Sequence, residues 1–526
     1  MKIDNCEIQS SEARKKLIRN TLYLYFRMFF SMLVGLYTTR LTLKALGVVD
    51  YGMYEVVGGV VGMSTIFTSS LTAAVGRFLT FEIGKGDTER IKKVYSTCLT
   101  INYVICVIIV FVAETIGVWF INAKMVIPEE RLLAANIVLQ FSILDFAIGL
   151  ICGPMGALII AHEKMSAFAY IGILSSLLRL FIVILLVLLP FDKAILLSVL
   201  GFMVSCGIRY IYVKYCKKHF DEYTHKLLYD IGLIKSMFGF AGWNFIGASS
   251  AILRDQGGNM LLNVFCGPEL NAARGIGIMV NSKIEAFVDN YMTAMNPQIT
   301  KSYATENYSY MHSLLLNGSR YSFYLMLFLS LPVLMQTHFI LDIWLKDVPE
   351  HAVEFVQLFI IMSLSSLISR PLITASLATG KIRNYQIVVG GLQTLNFPIA
   401  YFALNMGAIP ESIVIIAIII SHVCFFARVV MLKKMIKLEP WSFIKKVWFD
   451  TCVVILFACI LPFLLKYFIN NESFVSFIIV SITCMLSSSL SIFYIGLNST
   501  ERAIVISKTK DLCKKIFAIS IIKNKF

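Results

Sequence analysis

The sequence predicts an all-α polytopic membrane protein of about 14 transmembrane helices: two pseudo-symmetric six-helix lobes plus two C-terminal helices. Three observations carry that expectation. Of 526 residues, 58% are hydrophobic and only 15% charged, and mean hydropathy is +0.76; a water-soluble protein carries about 45–50% apolar and about 25% charged residues. Fourteen apolar runs are each long enough to cross hydrocarbon about 30 Å thick, which takes about 20 helical residues. The first six runs repeat in the next six at an offset of about 220 residues. A cytosolic enzyme, a secreted disulfide scaffold and a disordered chain are all excluded by this composition.

The elements follow in order. Residues 1–19 form a polar N-terminus, unlike a secretory signal with a cleavage site. The first lobe, 20–213, holds runs at 20–39, 53–75, 95–117, 134–160, 167–189 and 194–213. A polar linker, 214–236, is long enough for an amphipathic helix on the membrane surface. The second lobe, 237–432, holds runs at 237–264, 276–298, 321–341, 352–378, 385–407 and 411–427. A linker at 433–448, two extra helices within 449–496 and a basic amphipathic tail at 497–526 complete the chain. No loop is large enough for a catalytic domain outside the membrane.

Net charge is +15, and its distribution orients the chain. Of 47 Lys and Arg residues, 34 fall on the side of the termini and eight on the other, which places both termini in the cytoplasm. Charge spread over many loops faces anionic membrane lipids rather than a nucleic acid. Twelve cysteines show no C-x-x-C pair and seven histidines no H-E-x-x-H, so neither a metal nor a cofactor is expected.

The repeat is visible in its turns. ALGVVDYGMYEVVGG (45–59) aligns with FCGPELNAARGIGIM (265–279), each a glycine turn entering the next span. GPMGALIIAHEKMSAFAY (153–170) answers RPLITASLATGKIRNYQ (370–386), each a proline-containing span ending in a short polar turn. An even number of spans per half makes these parallel repeats about an axis along the membrane normal.

With this layout, the opening RNTLYLYFRMFFSMLVGLYTTRLTLKALGVVDYGMYEVVGGVVGM, the loop RFLTFEIGKGD and the segment LDIWL resemble the O-antigen and capsule polysaccharide flippases. These Wzx-type proteins belong to the MATE-like multidrug/oligosaccharidyl-lipid/polysaccharide exporter superfamily. The resemblance covers nearly the whole chain. It implies a bacterial inner-membrane protein that moves a polyprenyl-pyrophosphate-linked oligosaccharide from the cytoplasmic to the outer leaflet, with a polysaccharide polymerase and ligase as companions. It also implies a lipid-tail groove at the two C-terminal helices.

Five cations stand inside the runs: Arg27, Arg179, Arg254, Lys283 and Arg370. Each would cost about 2.5–3.5 kcal/mol at a helix centre if unpaired, so each must pair, snorkel or line water. Arg254, Asp255, Gln256, Gly257 and Gly258 interrupt the seventh run, the pattern of a bent or broken helix at a transport site. In the eighth, Asn281, Glu285 and Asp289 step by four and share a face, while Lys283 and Asn290 lie on another. Pairing of Arg254 with Glu285 or Asp289 is expected. Arg254, Lys283 and Arg27 are the candidate pyrophosphate ligands in a hydrated cavity. Asp255, Glu285 and Asp289 are the candidate acidic groups, exchanging H⁺ or Na⁺ or releasing the cations. For Arg179 and Asp145 a structural ion pair is the favoured role. Two other functions stay open: a cation-coupled multidrug exporter, which an acidic cavity would favour, and a membrane-embedded glycan-processing enzyme, which would need a catalytic cluster.

Overall fold

The computed structural model describes residues 2–62, 65–123, 127, 129–224, 226–345, 347–468 and 473–507. Among them every regular element is a helix, with no strand. Eight helices are long and apolar enough to cross a membrane, and two bent pairs, Tyr308–Met335 with Thr337–Leu345 and Ala352–Leu367 with Arg370–Ala378, bring the number to ten. Those pairs bend by 73° and 41°, with Pro332 and Pro371 beside the breaks, where a ring without an N–H stops the helical ladder.

The four runs outside that set are 20–39, 53–75, 237–264 and 276–298, the first two of each half. Three of them hold every candidate site residue: Arg27 in the first, Arg254 and Asp255 in the seventh, and Lys283, Glu285 and Asp289 in the eighth.

The repeat extends to backbone dihedrals. Gly47 breaks Lys2–Gly62 at φ 78° and ψ 169°, and Gly267, 220 residues on, ends Gly258–Cys266 at φ 89° and ψ 173°. Both positions need the left-handed region that glycine enters without steric cost. Gly86 and Glu306, again 220 apart, have φ 80° and 56°. The next residues, Asp87 and Asn307, cap the following helices by accepting the backbone N–H of Arg90 and of Tyr310, each at 3.1 Å. Glu163 and Gly380, each nine residues after Pro154 and Pro371, have φ 58° and 72°.

Two compact units emerge, residues 1–252 with 289–315 and 373–391, and residues 253–288 with 316–372 and 392–526. The first unit has a buried cluster around Leu79, Tyr95, Leu158, Ile159 and Phe240, and another around Val57, Ile121, Val138 and Leu139. In lipid such packing gains dispersion contacts rather than escape from water. Large exposed apolar side chains, among them Phe26, Val107, Phe111 and Phe181, suit a lipid surround. In the second unit Arg320 donates to the Gly496 carbonyl and to Glu501, at 3.4 Å for the latter, which fastens the end of the last long helix.

One expectation needs correction. No surface helix forms in the linker: the described residues between His219 and Ile231 are irregular, held by Thr100 donating to the Leu228 carbonyl at 3.0 Å. In the tail, residues 499–507 are helical, and 508–526 lie outside the described residues.

Candidate functional site

Arg254 and Asp255 stand in a π-helical turn, Leu253–Gly257, between Ile231–Ile252 and Gly258–Cys266. The wide turn inserts a residue without ending the helix. Its glycines keep helical backbone (Gly257 φ −61°), so the helix is not broken there. Their role is close packing: a Cβ at Gly257 would lie 2.5 Å from the Phe397 ring, and one at Gly258 3.2 Å from Ile413. Arg254 holds Asp255 in a two-pronged contact, Nε to Oδ1 at 2.8 Å and Nη2 to Oδ2 at 3.1 Å. The expected pairing with Glu285 or Asp289 is replaced by this neighbour.

Glu285 pairs elsewhere. Its Oε1 accepts from Nη2 of Arg370, while Oε2 receives Asn281 Nδ2 at 3.4 Å and Ser363 Oγ at 3.5 Å. Asp289 is exposed, and its backbone carbonyl accepts from Thr293 at 2.8 Å. Lys283 is exposed and makes no hydrogen bond or ion pair among the described residues.

Arg27 is held without a carboxylate. Its guanidinium lies 4.5 Å over the Phe168 ring and donates to Asn290 Oδ1 at 3.4 Å. Gly172 leaves room for the stem, since a Cβ there would meet Arg27 Cδ at 2.7 Å. Cation–π contact contributes about 0.5–2 kcal/mol, the higher end when water is excluded, yet leaves the charge uncompensated.

Two cations that lie outside the apolar runs in the sequence are held within the helix packing of their own units. Arg274, 5% exposed, reaches back to the Asp255 carbonyl at 2.9 Å and over Phe359 at 5.5 Å. Arg77, two turns before the end of Thr65–Lys85, donates to the Ala378 carbonyl through Nε (3.3 Å) and Nη2 (3.1 Å). Arg179 and Asp145 form no ion pair with each other; instead both line two cavities, of about 250 and 370 Å³. Asp145 also lines a third of about 270 Å³, and its Oδ1 is buried without a hydrogen-bond partner.

At the end of Leu132–Ala161 the turn residue Glu163 carries two ion pairs, to Lys16 at 3.0 Å and to Lys301 at 2.8 Å. Burial pushes its carboxyl up, but those two ammonium groups outweigh it and hold the group below its ordinary range. On a different turn His351, Glu354 and Glu411 bring donor atoms within 4.8 Å of one another, and His351 Nδ1 contacts the Glu411 carboxylate. Residues 60 apart offer no spacing signal, and His351 with Glu411 already forms a closed pair.

The candidate residues thus fall into three contact groups: Arg254–Asp255 with Arg274, Glu285 with Arg370, and Arg27 with Phe168 and Asn290. The first two are neutral as pairs apart from Arg274. Arg27, Arg77, Arg274 and Lys283 have no carboxylate within ion-pair distance among the described residues.

No family model and no curated protein sequence matches the chain. Solved structures do. A MATE transporter in the bent conformation aligns with TM-score 0.70 at 12% identity, covering 81% of this chain and 96% of its own. A MOP superfamily transporter from Pyrococcus furiosus, described as having a binding pocket of reverse polarity, aligns with TM-score 0.64 at 11% identity over 80% and 95%. The MATE transporter ClbM in complex with Rb⁺ gives TM-score 0.64 at 14% identity over 82% and 97%. The chain is a multi-pass membrane protein with a MATE-like fold. About a fifth of it has no counterpart in these structures, a length close to that of residues 433–526.

Proposed function

We propose that the protein is a flippase that moves a polyprenyl-pyrophosphate-linked oligosaccharide from the cytoplasmic to the outer leaflet by alternating access, for O-antigen, capsule or exopolysaccharide synthesis. The observation that carries this reading is the sign of the charge left over in the polar spans. Asp255 and Glu285 are each engaged by an arginine, while Arg27 and Lys283 have no carboxylate. Leftover charge of this sign suits a doubly charged anion and disfavours a cationic drug. On this reading both termini are cytoplasmic, the membrane is the bacterial inner membrane, and a polymerase and ligase receive the product.

Energetics agree with the direction. Moving one negative charge outward across an inside-negative membrane releases about 2.3 kcal/mol per 100 mV, so a pyrophosphate gains several kcal/mol without a coupled ion.

One observation favours the second reading, cation coupling by H⁺ or Na⁺, as in a multidrug exporter: the unpartnered Oδ1 of Asp145 beside three cavities. The experiment that separates the two uses proteoliposomes containing a fluorescent lipid-pyrophosphate sugar, with flipping followed by quenching of the outer leaflet. The wild type is expected to flip it, and Arg27→Ala, Arg254→Ala and Lys283→Ala to slow flipping tenfold or more. Flipping no faster than in protein-free vesicles, together with efflux of a cationic dye, would establish the exporter instead.

A further inference from the structure

We propose that a cavity centred on Arg77 is a phosphate-binding subsite, distinct from the groups around Arg27 and Arg254, which takes the pyrophosphate of the lipid-linked substrate near the cytoplasmic side. The inference rests on the flippase reading for the identity of the lipid, but the phosphate chemistry stands on the residues. The cavity measures about 400 Å³, within the range of about 300–1,000 Å³ usual for ligand pockets. Four helical segments build it, 72–80 and 153–160 from the first half and 293–300 and 374–378 from the second. All of them belong to the first compact unit.

Arg77 is the one charged residue on its wall, and no lining residue is acidic. A cation in such a place needs either a carboxylate or a ligand. No carboxylate lies within ion-pair distance among the described residues, Glu82 being paired with Arg90, and the hydrogen bonds of Arg77 go to a single neutral carbonyl, Ala378. Phe78 and Phe81 lie 4.7 and 4.5 Å from the guanidinium carbon and stabilise the charge through their ring faces. Five N–H groups lie in the guanidinium plane, and Nη1 donates to no described acceptor, which leaves an edge free for a phosphate oxygen.

Neutral hydrogen-bonding groups surround that edge. Thr80, 5% exposed, has no hydrogen-bond partner among the described residues. Thr374 donates to Asn296 Oδ1 at 2.9 Å, which turns the Asn296 amide into a fixed donor. Thr72 and Thr300 back-bond to carbonyls of their own helices at 2.9 and 3.2 Å and offer oxygen lone pairs or, after rotation, O–H donors. Glycines complete the wall. A Cβ at Gly76, Gly153 or Gly156 would meet nothing within 4 Å, so the space before them is vacant rather than packed. One arginine, several hydroxyls, an oriented amide and no carboxylate form an anion site of the kind a phosphate fills.

The test is calorimetric titration of the detergent-purified full chain with inorganic pyrophosphate, farnesyl pyrophosphate and farnesol. Farnesyl pyrophosphate is expected to bind more tightly than inorganic pyrophosphate, and farnesol at least tenfold more weakly than either. Arg77→Ala should weaken pyrophosphate binding tenfold or more, with Arg77→Lys intermediate, because a point charge replaces the fork. Gly156→Leu should do the same by filling the cavity while leaving the Arg77–Ala378 bond in place, so loss of folding in Arg77→Ala does not decide the matter. Wild-type affinity in Gly156→Leu would overturn the subsite even if Arg77→Ala failed to bind, since Arg77 would then act only as a clamp. Equal, Arg77-dependent affinity for the inorganic and the farnesyl form would overturn the lipid headgroup as the source and assign a soluble phosphate. Flipping by wild-type proteoliposomes is read separately: if the wild type flips and the cavity variants flip equally fast, the subsite falls and the flippase stands. If the wild type binds pyrophosphate through Arg77 but flips nothing, the flippase falls and the subsite stands.

Discussion

The two halves of the chain share their turns and differ in their charges. Gly47 with Gly267, Gly86 with Glu306 and Glu163 with Gly380 adopt left-handed backbone at equivalent places, and Asp87 and Asn307 cap the same helix in each half. None of the buried charges repeats. At the positions 220 residues from Arg27, Arg77, Arg254 and Glu285 stand Gly247, Pro297, Val34 and Thr65. Among these residues, Arg27 and Arg77 of the first half are held by rings, an amide and a carbonyl, whereas Arg254 with Asp255 and Glu285 with Arg370 of the second half form pairs. Turn geometry is set by local backbone sterics and survives as scaffold, whereas a charge in lipid is retained only where it has work or a partner. The asymmetry, not the symmetry, marks the site.

The largest effect is expected where the halves meet within the first unit. Glu163 of the first half holds Lys301 of the second at 2.8 Å and Lys16 at 3.0 Å, and its side chain is only 7% exposed. Glu163→Gln leaves two cations facing a neutral amide. Breaking a buried pair costs about 3–5 kcal/mol, here reduced because Lys16 is 43% exposed, so a loss of about 2–3 kcal/mol is expected in thermal unfolding in detergent. The pH dependence carries the same signature. The carboxyl of Glu163 is held below its ordinary value of 4.5, so its contribution is complete at neutral pH and disappears as pH falls from about 4.5 through the lowered value. The wild type should lose stability over that acid interval more steeply than Glu163→Gln. Parallel curves would mean that the two lysines do not hold the carboxylate.

A smaller effect tests the pairing in the second half. Arg370 and Glu285 are 38% and 21% exposed, so each single change, Glu285→Gln or Arg370→Gln, should destabilise by about 1–2 kcal/mol, below the cost for a fully buried pair. The double variant should recover part of that loss, and the cycle should give a coupling of about 0.5–3 kcal/mol. Additive losses would show that the two groups are not partners and would return Glu285 to the set of acids free to exchange a cation.

Much of this was legible in the sequence, and the limits have physical causes. Apolar runs and basic loops follow from hydrocarbon thickness and charge cost, so the fold class could be read directly. The repeat could be read because glycines, prolines and turn charges recur in order. Arg77 and Arg274 escaped because span ends are set by hydropathy, which treats any arginine near an end as a loop residue. The partner of Glu285 is 85 residues away and on a different helix, a relation no periodicity contains. The Gly257–Gly258 pair looked like a break in the helix because glycine weakens helices, yet Phe397 and Ile413 crowd both positions and make small size the requirement. Gly172 carried no signal at all; only the stem of Arg27 explains it.

The finest test of the comparison exchanges residues at its best-matched turn. Gly86 and Glu306 occupy the same place in the two halves, and both have positive φ. Each turn is closed by backbone bonds, Gly86 N–H to the Glu82 carbonyl at 3.1 Å and Glu306 N–H to the Tyr303 carbonyl at 3.1 Å. Glutamate in this conformation carries a left-handed penalty of about 1–2 kcal/mol, and the exposed Glu306 side chain has little packing to offset it. Glycine removes the penalty but adds freedom to the unfolded chain, so Glu306→Gly should stabilise by only about 0.5–1 kcal/mol. Gly86→Ala should destabilise by about 1 kcal/mol, since a Cβ there meets no neighbour and the backbone penalty acts alone. Melting curves of the two variants should therefore move in opposite directions. Shifts of the same sign would mean that the two turns share dihedral angles without sharing the forces that set them, and the scaffold half of the comparison would fail.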